Sequence, residues 1–148
     1  MKVVFASEKK AQELFVKAAL DMVDARLMAL AELEANPYWN SGQQLMLSAN
    51  FRTLVINGGR RAGHTTIAKK LVGLYDALVF VSRTSFKKHW PKETWKKNIF
   101  TVDEAATSPN AKGRVVALDN ASIINGDQGN SLRQFTMAQR PKLIVELG

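Results

Sequence analysis

The chain has 148 residues, no cysteine and a formal charge of +8. Its length fits one domain with room for one hydrophobic core. The missing thiols exclude a disulfide scaffold and thiolate metal sites, and they suit a reducing compartment. There is no signal-peptide pattern and no apolar run of about 18 residues, so a soluble, cytoplasmic protein without a membrane partner is expected.

The charge is unevenly spread. Residues 1–49 hold 5 Lys/Arg against 6 Asp/Glu, residues 50–100 hold 11 against 2, and residues 101–148 hold 5 against 5. The whole positive excess sits in the middle third. That asymmetry favours an anionic partner, whether nucleotide, nucleic acid or an acidic protein. A solvated basic face is the competing explanation.

The first third reads as helix. Ser7 is a candidate N-cap for a segment running to about Ala35. Val16, Leu20, Val23, Leu27 and Leu30 recur at steps of four and three, which puts them on one face. Asn36-Pro37 ends the segment, because the residue before proline disfavours helical dihedrals. Lys2–Phe5 is a weak strand candidate.

From Asn50 the texture changes to short apolar runs: Thr53–Asn57, Ala77–Ser82, Asn98–Val102, Arg114–Leu118 and Lys142–Glu146. They are mostly continuous rather than alternating, as in strands covered on both faces. Helices are predicted at Thr65–Leu74, around Phe86–Lys96 and around Asn130–Gln139. The alternation predicts an α/β fold with a parallel sheet of about five strands flanked by helices and preceded by a long N-terminal helix. The chain divides into a helical segment, 1–42, and a core, 43–148, within a single domain.

The chemistry-bearing stretch is TLVINGGRRAGHTTIAKKLVGL, residues 53–74. A strand runs into a glycine turn and a helix follows. Gly58 through Thr65 reads G-x-x-x-x-G-x-T, a phosphate-binding loop in which His64 stands where a lysine is expected. Gly58, Gly59 and Gly63 let the backbone fold into a concave nest whose N–H groups face anionic oxygens. The helix that follows adds the positive end of its dipole. The Thr65 hydroxyl is placed to ligate Mg²⁺, and Thr66 to hydrogen-bond a phosphate. A neutral imidazole at 64 brings no cation near pH 7, whereas Arg60 or Arg61 can swing back to supply one. A glycine turn that binds nothing is the plainer alternative.

On these residues the chain resembles the P-loop NTPase superfamily over roughly residues 43–148. It is nearest in flavour to the ATPase half of superfamily 2 helicases and of phage large terminases. The resemblance implies ATP with Mg²⁺ as ligand, a phage-encoded origin with action in the host cytoplasm, and a role near nucleic acid. It also implies an acidic strand end that holds the metal. RVVALDNAS offers Asp119, followed by a helix and a further apolar strand, the order expected around that strand. NIFTVDEAA offers Asp103-Glu104. With Asp119 as the metal ligand, Asn120 replaces the catalytic glutamate, and an amide cannot take a proton from water. With the other choice, Glu104 restores a general base. The altered positions 64 and 120 together imply nucleotide binding with weak or absent hydrolysis. Gln43 and Gln44 occupy the place of an adenine-reading glutamine, though two exposed glutamines opening a helix is the simpler reading.

Residues 83–97, RTSFKKHWPKETWKK, interleave cations with aromatic rings. Arg83, Lys87, Lys88, Lys92, Lys96 and Lys97 can neutralise phosphates, and Trp90 and Trp95 can stack on bases. If catalysis is lost altogether, the chain is an adaptor that binds nucleic acid or an acidic host protein through this segment. The alternative is a surface helix whose tryptophans pack on the sheet. His64 and His89 are the only histidines and lack zinc-ligand spacing.

Overall fold

The computed structural model describes residues 2–36, 51–59, 62–82, 84–119 and 126–148, with side chains described except at 2–6, 84–86, 106 and 126–131. Helix α1 spans Lys2–Glu34. It begins earlier than the Ser7 cap predicted, and Lys2–Phe5 is helical rather than extended. A four-residue strand needs a neighbour for its backbone groups, whereas one more helical turn satisfies them locally. The core repeat of the helix is largely as expected: Val16, Val23, Leu27 and Leu30 are buried, joined by Ala19, while Leu20 is only partly buried.

Five strands follow: β1 (Thr53–Ile56), β2 (Leu78–Val81), β3 (Ile99–Thr101), β4 (Val115–Asp119) and β5 (Leu143–Leu147). Each lies within a residue of its predicted run. All pair in parallel, in the order β1-β5-β4-β2-β3. Helix α2 (His64–Tyr75) links β1 to β2, and α3 (Gly126–Ala138) links β4 to β5. The fold is therefore α/β, with an all-parallel five-stranded sheet between helical layers.

Period-two alternation sorts the strand side chains onto the two faces. Ile56, Val79, Val81, Val115, Ala117, Leu143, Val145 and Leu147 pack with α1 and with Ile67, Ala68 and Leu71 of α2. Leu78, Phe80, Val116, Leu118 and Ile144 pack on the opposite face with Leu132 of α3. β4 is buried along its whole length, as expected of a central strand of a parallel sheet. Edge strand β1 departs from the continuous-burial expectation, with Val55 65% exposed.

α1 is fastened to the start of β1 by polar contacts. Arg26 donates to the carbonyls of Phe51 (2.8 Å) and Thr53 (3.3 Å), with its guanidinium 4.5 Å from the Phe51 ring centre. Arg52 pairs with Glu34 at 2.6 Å. α2 stops at Asp76, which adopts left-handed dihedrals and donates its N–H to Val72 O at 2.9 Å. The Asp76 carboxylate then accepts from buried Asn98 (2.9 Å), joining the β2 and β3 approaches.

The helix expected around Phe86–Lys96 is instead two short 3₁₀ turns, Thr84–His89 and Lys92–Thr94. Pro91 lies between them in an extended conformation, φ −57° and ψ 137°. A proline has no N–H for a continuing helical ladder.

Candidate functional site

The C-terminal ends of β1 and β4 lie on either side of β5, with the N-terminus of α2 above them. Asp119 is the last residue of β4 and is only 2% exposed. It shares the parity of Val115 and Ala117, so it faces the α2 side of the sheet. There the Thr65 hydroxyl donates to Asp119 Oδ2 at 3.1 Å. Two residues 54 positions apart in sequence are thus joined at one sheet edge. Of the two acidic candidates, Asp119 is the one brought to the loop.

The loop is curled. Gly63 has φ 103°, in the left-handed region that glycine tolerates and larger residues resist, and a Cβ there would lie 3.0 Å from Val16 Cγ2. Gly58 is constrained by space: a Cβ would overlap the Phe15 ring of α1 and the Ala62 side chain. The Gly58 N–H donates to His64 Nε2 at 3.2 Å, and the Gly59 N–H donates to Asn57 Oδ1 at 3.0 Å. These two amides are therefore already engaged within the loop. The first intrahelical bond of α2 runs from Ile67 N–H to Gly63 O at 3.0 Å. The amides of His64, Thr65 and Thr66 precede it and have no intrahelical acceptor. Gly63, at the cap position, supplies no side-chain cap. Arg60 and Arg61, the candidate replacement cations, lie outside the described residues, as do Asn120, Gln43 and Gln44.

His64 does not act as a stand-in lysine in this geometry. Because Nε2 accepts from Gly58, the proton of the neutral ring sits on Nδ1. Burial holds its pKa below the ordinary 6.5, against the pull of the Asp119 carboxylate. The ring also meets Phe15 edge-on, with centroids 5.8 Å apart. Phe15 and Val16 are parts of the loop's surroundings that sequence reasoning missed. Their only signal was membership of an amphipathic helix, which says nothing about which loop that helix meets.

The fit of Mg²⁺ can be judged from its chemistry. It takes oxygen ligands, keeps several waters, and is commonly bound by one or two protein groups together with substrate phosphates. A hydroxyl and a carboxylate converging at Thr65 and Asp119 form such a donor set. Among the described residues no cluster of three or more His, Asp or Glu forms an all-protein metal cage.

Glu104 sits elsewhere, in the 3₁₀ turn Val102–Thr107 after edge strand β3, with β2 between β3 and β4. Its Oε1 accepts from Lys87 Nζ (2.6 Å) and from the Thr101 N–H (2.9 Å). Exposed Asp103 belongs to the same turn. Both are therefore remote from the loop. The hydrogen bond from Lys87, then that from Thr101, hold the Glu104 carboxyl below its ordinary 4.5. A folded-state pKa below the unfolded one contributes stability that is complete above the unfolded value and is lost as pH falls through the folded value. Urea unfolding from about pH 6 to pH 3 should therefore show wild type losing its advantage over Glu104→Gln below about pH 4.5. An advantage that persists to the acid end would mean the pair contributes nothing.

The basic segment divides sharply. Trp90 is buried in the core cluster on the α1–α2 face, and Trp95 is half-buried against it, donating its indole N–H to Trp90 O at 3.1 Å. Lys87 is 8% exposed and tied to Glu104. Buried Trp90 offers no ring face to a base, whereas Lys87 and half-buried Trp95 line a surface cavity together with Lys92, Lys96 and Lys97. Lys88, Lys92, Lys96 and Lys97 are exposed, and Arg83 lies outside the described residues.

Comparison of the chain with protein-family profiles, with curated proteins and with solved structures finds no match to any of them. Among the described residues no helix is long and apolar enough to cross a membrane.

Proposed function

We propose that this chain is a nucleotide-binding protein of P-loop type, taking ATP with Mg²⁺ and hydrolysing it weakly or not at all. The observation that carries the reading is the 3.1 Å hydrogen bond from Thr65 to buried Asp119 at the mouth of α2. It unites the two sequence elements that metal–phosphate binding requires. The amides of His64, Thr65 and Thr66, together with the α2 dipole, favour phosphate oxygens. Thr65 and Asp119 would hold the metal, which when bound neutralises charge on the phosphates. Arg60 or Arg61 would supply the cation that His64 does not.

Weak hydrolysis follows from the remaining groups. The residue after Asp119 is an amide, and Glu104 is committed to Lys87 and Thr101 at the far side of β2. Neither offers a general base at the loop. Calorimetric titration of Mg–ATP should give saturable heat with wild type and none with Gly63→Val, with phosphate release near background. No heat from wild type at high micromolar protein defeats the reading.

A second reading rests on the four exposed lysines at 88, 92, 96 and 97. In it the chain is an adaptor for nucleic acid or an acidic protein of the host, a phage being the source the resemblance implies.

A further inference from the structure

A cavity of about 450 Å³ opens between α1 and the first turns of α2. It is lined by Val16 and Leu20 of α1 and by Gly63 and Thr66 of the loop and helix start. Lys17 and Lys70 stand at its rim, and Glu13 lines the α1 side. The volume lies within the roughly 300–1,000 Å³ typical of small-molecule sites.

We infer that this groove seats the nucleoside portion of the triphosphate, which makes the N-terminal helix half of the ligand site. The inference rests on the phosphate reading above and extends it to the other end of the ligand. Three observations carry it. First, the cavity is continuous with the loop, since Gly63 and Thr66 belong to both. Second, the two threonines diverge: Thr65 turns to Asp119 at the sheet, while Thr66 is exposed and lines the groove. A phosphate chain held at Thr65 therefore leaves past Thr66 into the groove. Third, the lining suits the occupant. Val16, Leu20 and the methylene stem of Lys70 offer apolar surface to a flat base. The ammonium groups of Lys17 and Lys70 complement the phosphates. The Glu13 carboxylate is an acceptor for ribose hydroxyls, the role an acidic residue takes in dinucleotide sites.

Calorimetry can separate this inference from the reading beneath it by comparing Mg–ATP with Mg–tripolyphosphate, which has the phosphates and no nucleoside. Wild type should bind ATP at least about tenfold more tightly, a difference of about 1.4 kcal/mol. Leu20→Trp fills the groove from its apolar lining and should bring the ratio of the two affinities close to one. Glu13→Trp fills it from the exposed rim, where folding is not at risk, and should do the same. It also removes a negative charge and the proposed ribose acceptor, so a fall in ATP affinity there reports loss of the groove, its space or its acceptor, rather than charge repulsion. Tripolyphosphate binding without an ATP preference, or a preference that survives both substitutions, overturns the groove and leaves the phosphate loop standing. Binding of neither ligand overturns both.

Discussion

Trp90→Ala should lower the free energy of unfolding by about 3–5 kcal/mol, the cost of deleting a large buried ring that neighbours refill only partly. Trp90 is 5% exposed and packs in the cluster that joins α1, α2 and the sheet. The Lys69 ammonium stands 5.9 Å from its ring centre on the outer side. Urea denaturation checks the figure. A loss below about 1 kcal/mol would mean that the indole is not core, since surface substitutions usually stay within about 0.5 kcal/mol. The companion variant, alanine at Lys88, Lys92, Lys96 and Lys97 together, should leave stability nearly unchanged because all four side chains are solvated. The two variants thus separate the parts of one sequence motif. If the chain binds nucleic acid, gel shifts should show steep salt dependence that the lysine variant loses. Base stacking on Trp90 should contribute nothing.

Asp119→Asn should abolish the part of ATP affinity that depends on Mg²⁺. Wild type is expected to bind about tenfold or more tightly with Mg²⁺ than with a chelator present. The variant should bind equally in both conditions. Asparagine keeps the size of the side chain and can still accept from Thr65, so the fold should survive, and a thermal melt verifies it. What is lost is the charge: a neutral amide oxygen is a far poorer ligand for a hard cation than a carboxylate. Thr65→Val removes the other donor and should lower the same Mg²⁺-dependent gain. A variant at 119 that keeps the full gain would remove Asp119 from the metal site. If wild type shows no gain, the pair is a structural hydrogen bond between a helix start and a strand end.

Much of this architecture was legible because it is written in short periods. Continuous Val, Ile, Leu and Phe runs gave five strands, and the steps of four and three in α1 gave its buried face. Asp119 was separable from Asp103 because the helix and apolar strand after it, found at Gly126–Ala138 and Leu143–Leu147, put it on a central strand. The basic segment is less legible. Its lysines and tryptophans alternate in sequence like a binding surface, but Pro91 breaks the helix. The resulting turns rotate Trp90 inward and leave four lysines outward. The pairing of Lys87 with Glu104 has no local signal, because the two are brought near only when β3 and its following turn dock. The contact of Phe15 with Gly58 and His64 had no local signal, since it depends on how α1 lies across α2.

The position of β5 has a consequence for how the protein reaches its native state. Among the described strands, β1 finds its sheet neighbour only in β5, with Thr53 opposite Ile144. β4 borders β5 on the other side, with Asp119 opposite Leu147. The glycine turn after β1 and the carboxylate ending β4 therefore reach their working separation only when a segment remote in sequence slots between them. Such long-range closure is slow, because chain entropy is surrendered before the reward arrives. The threonine–aspartate latch should accordingly be among the last features to mature during refolding, after the local β2–β3 pairing has formed.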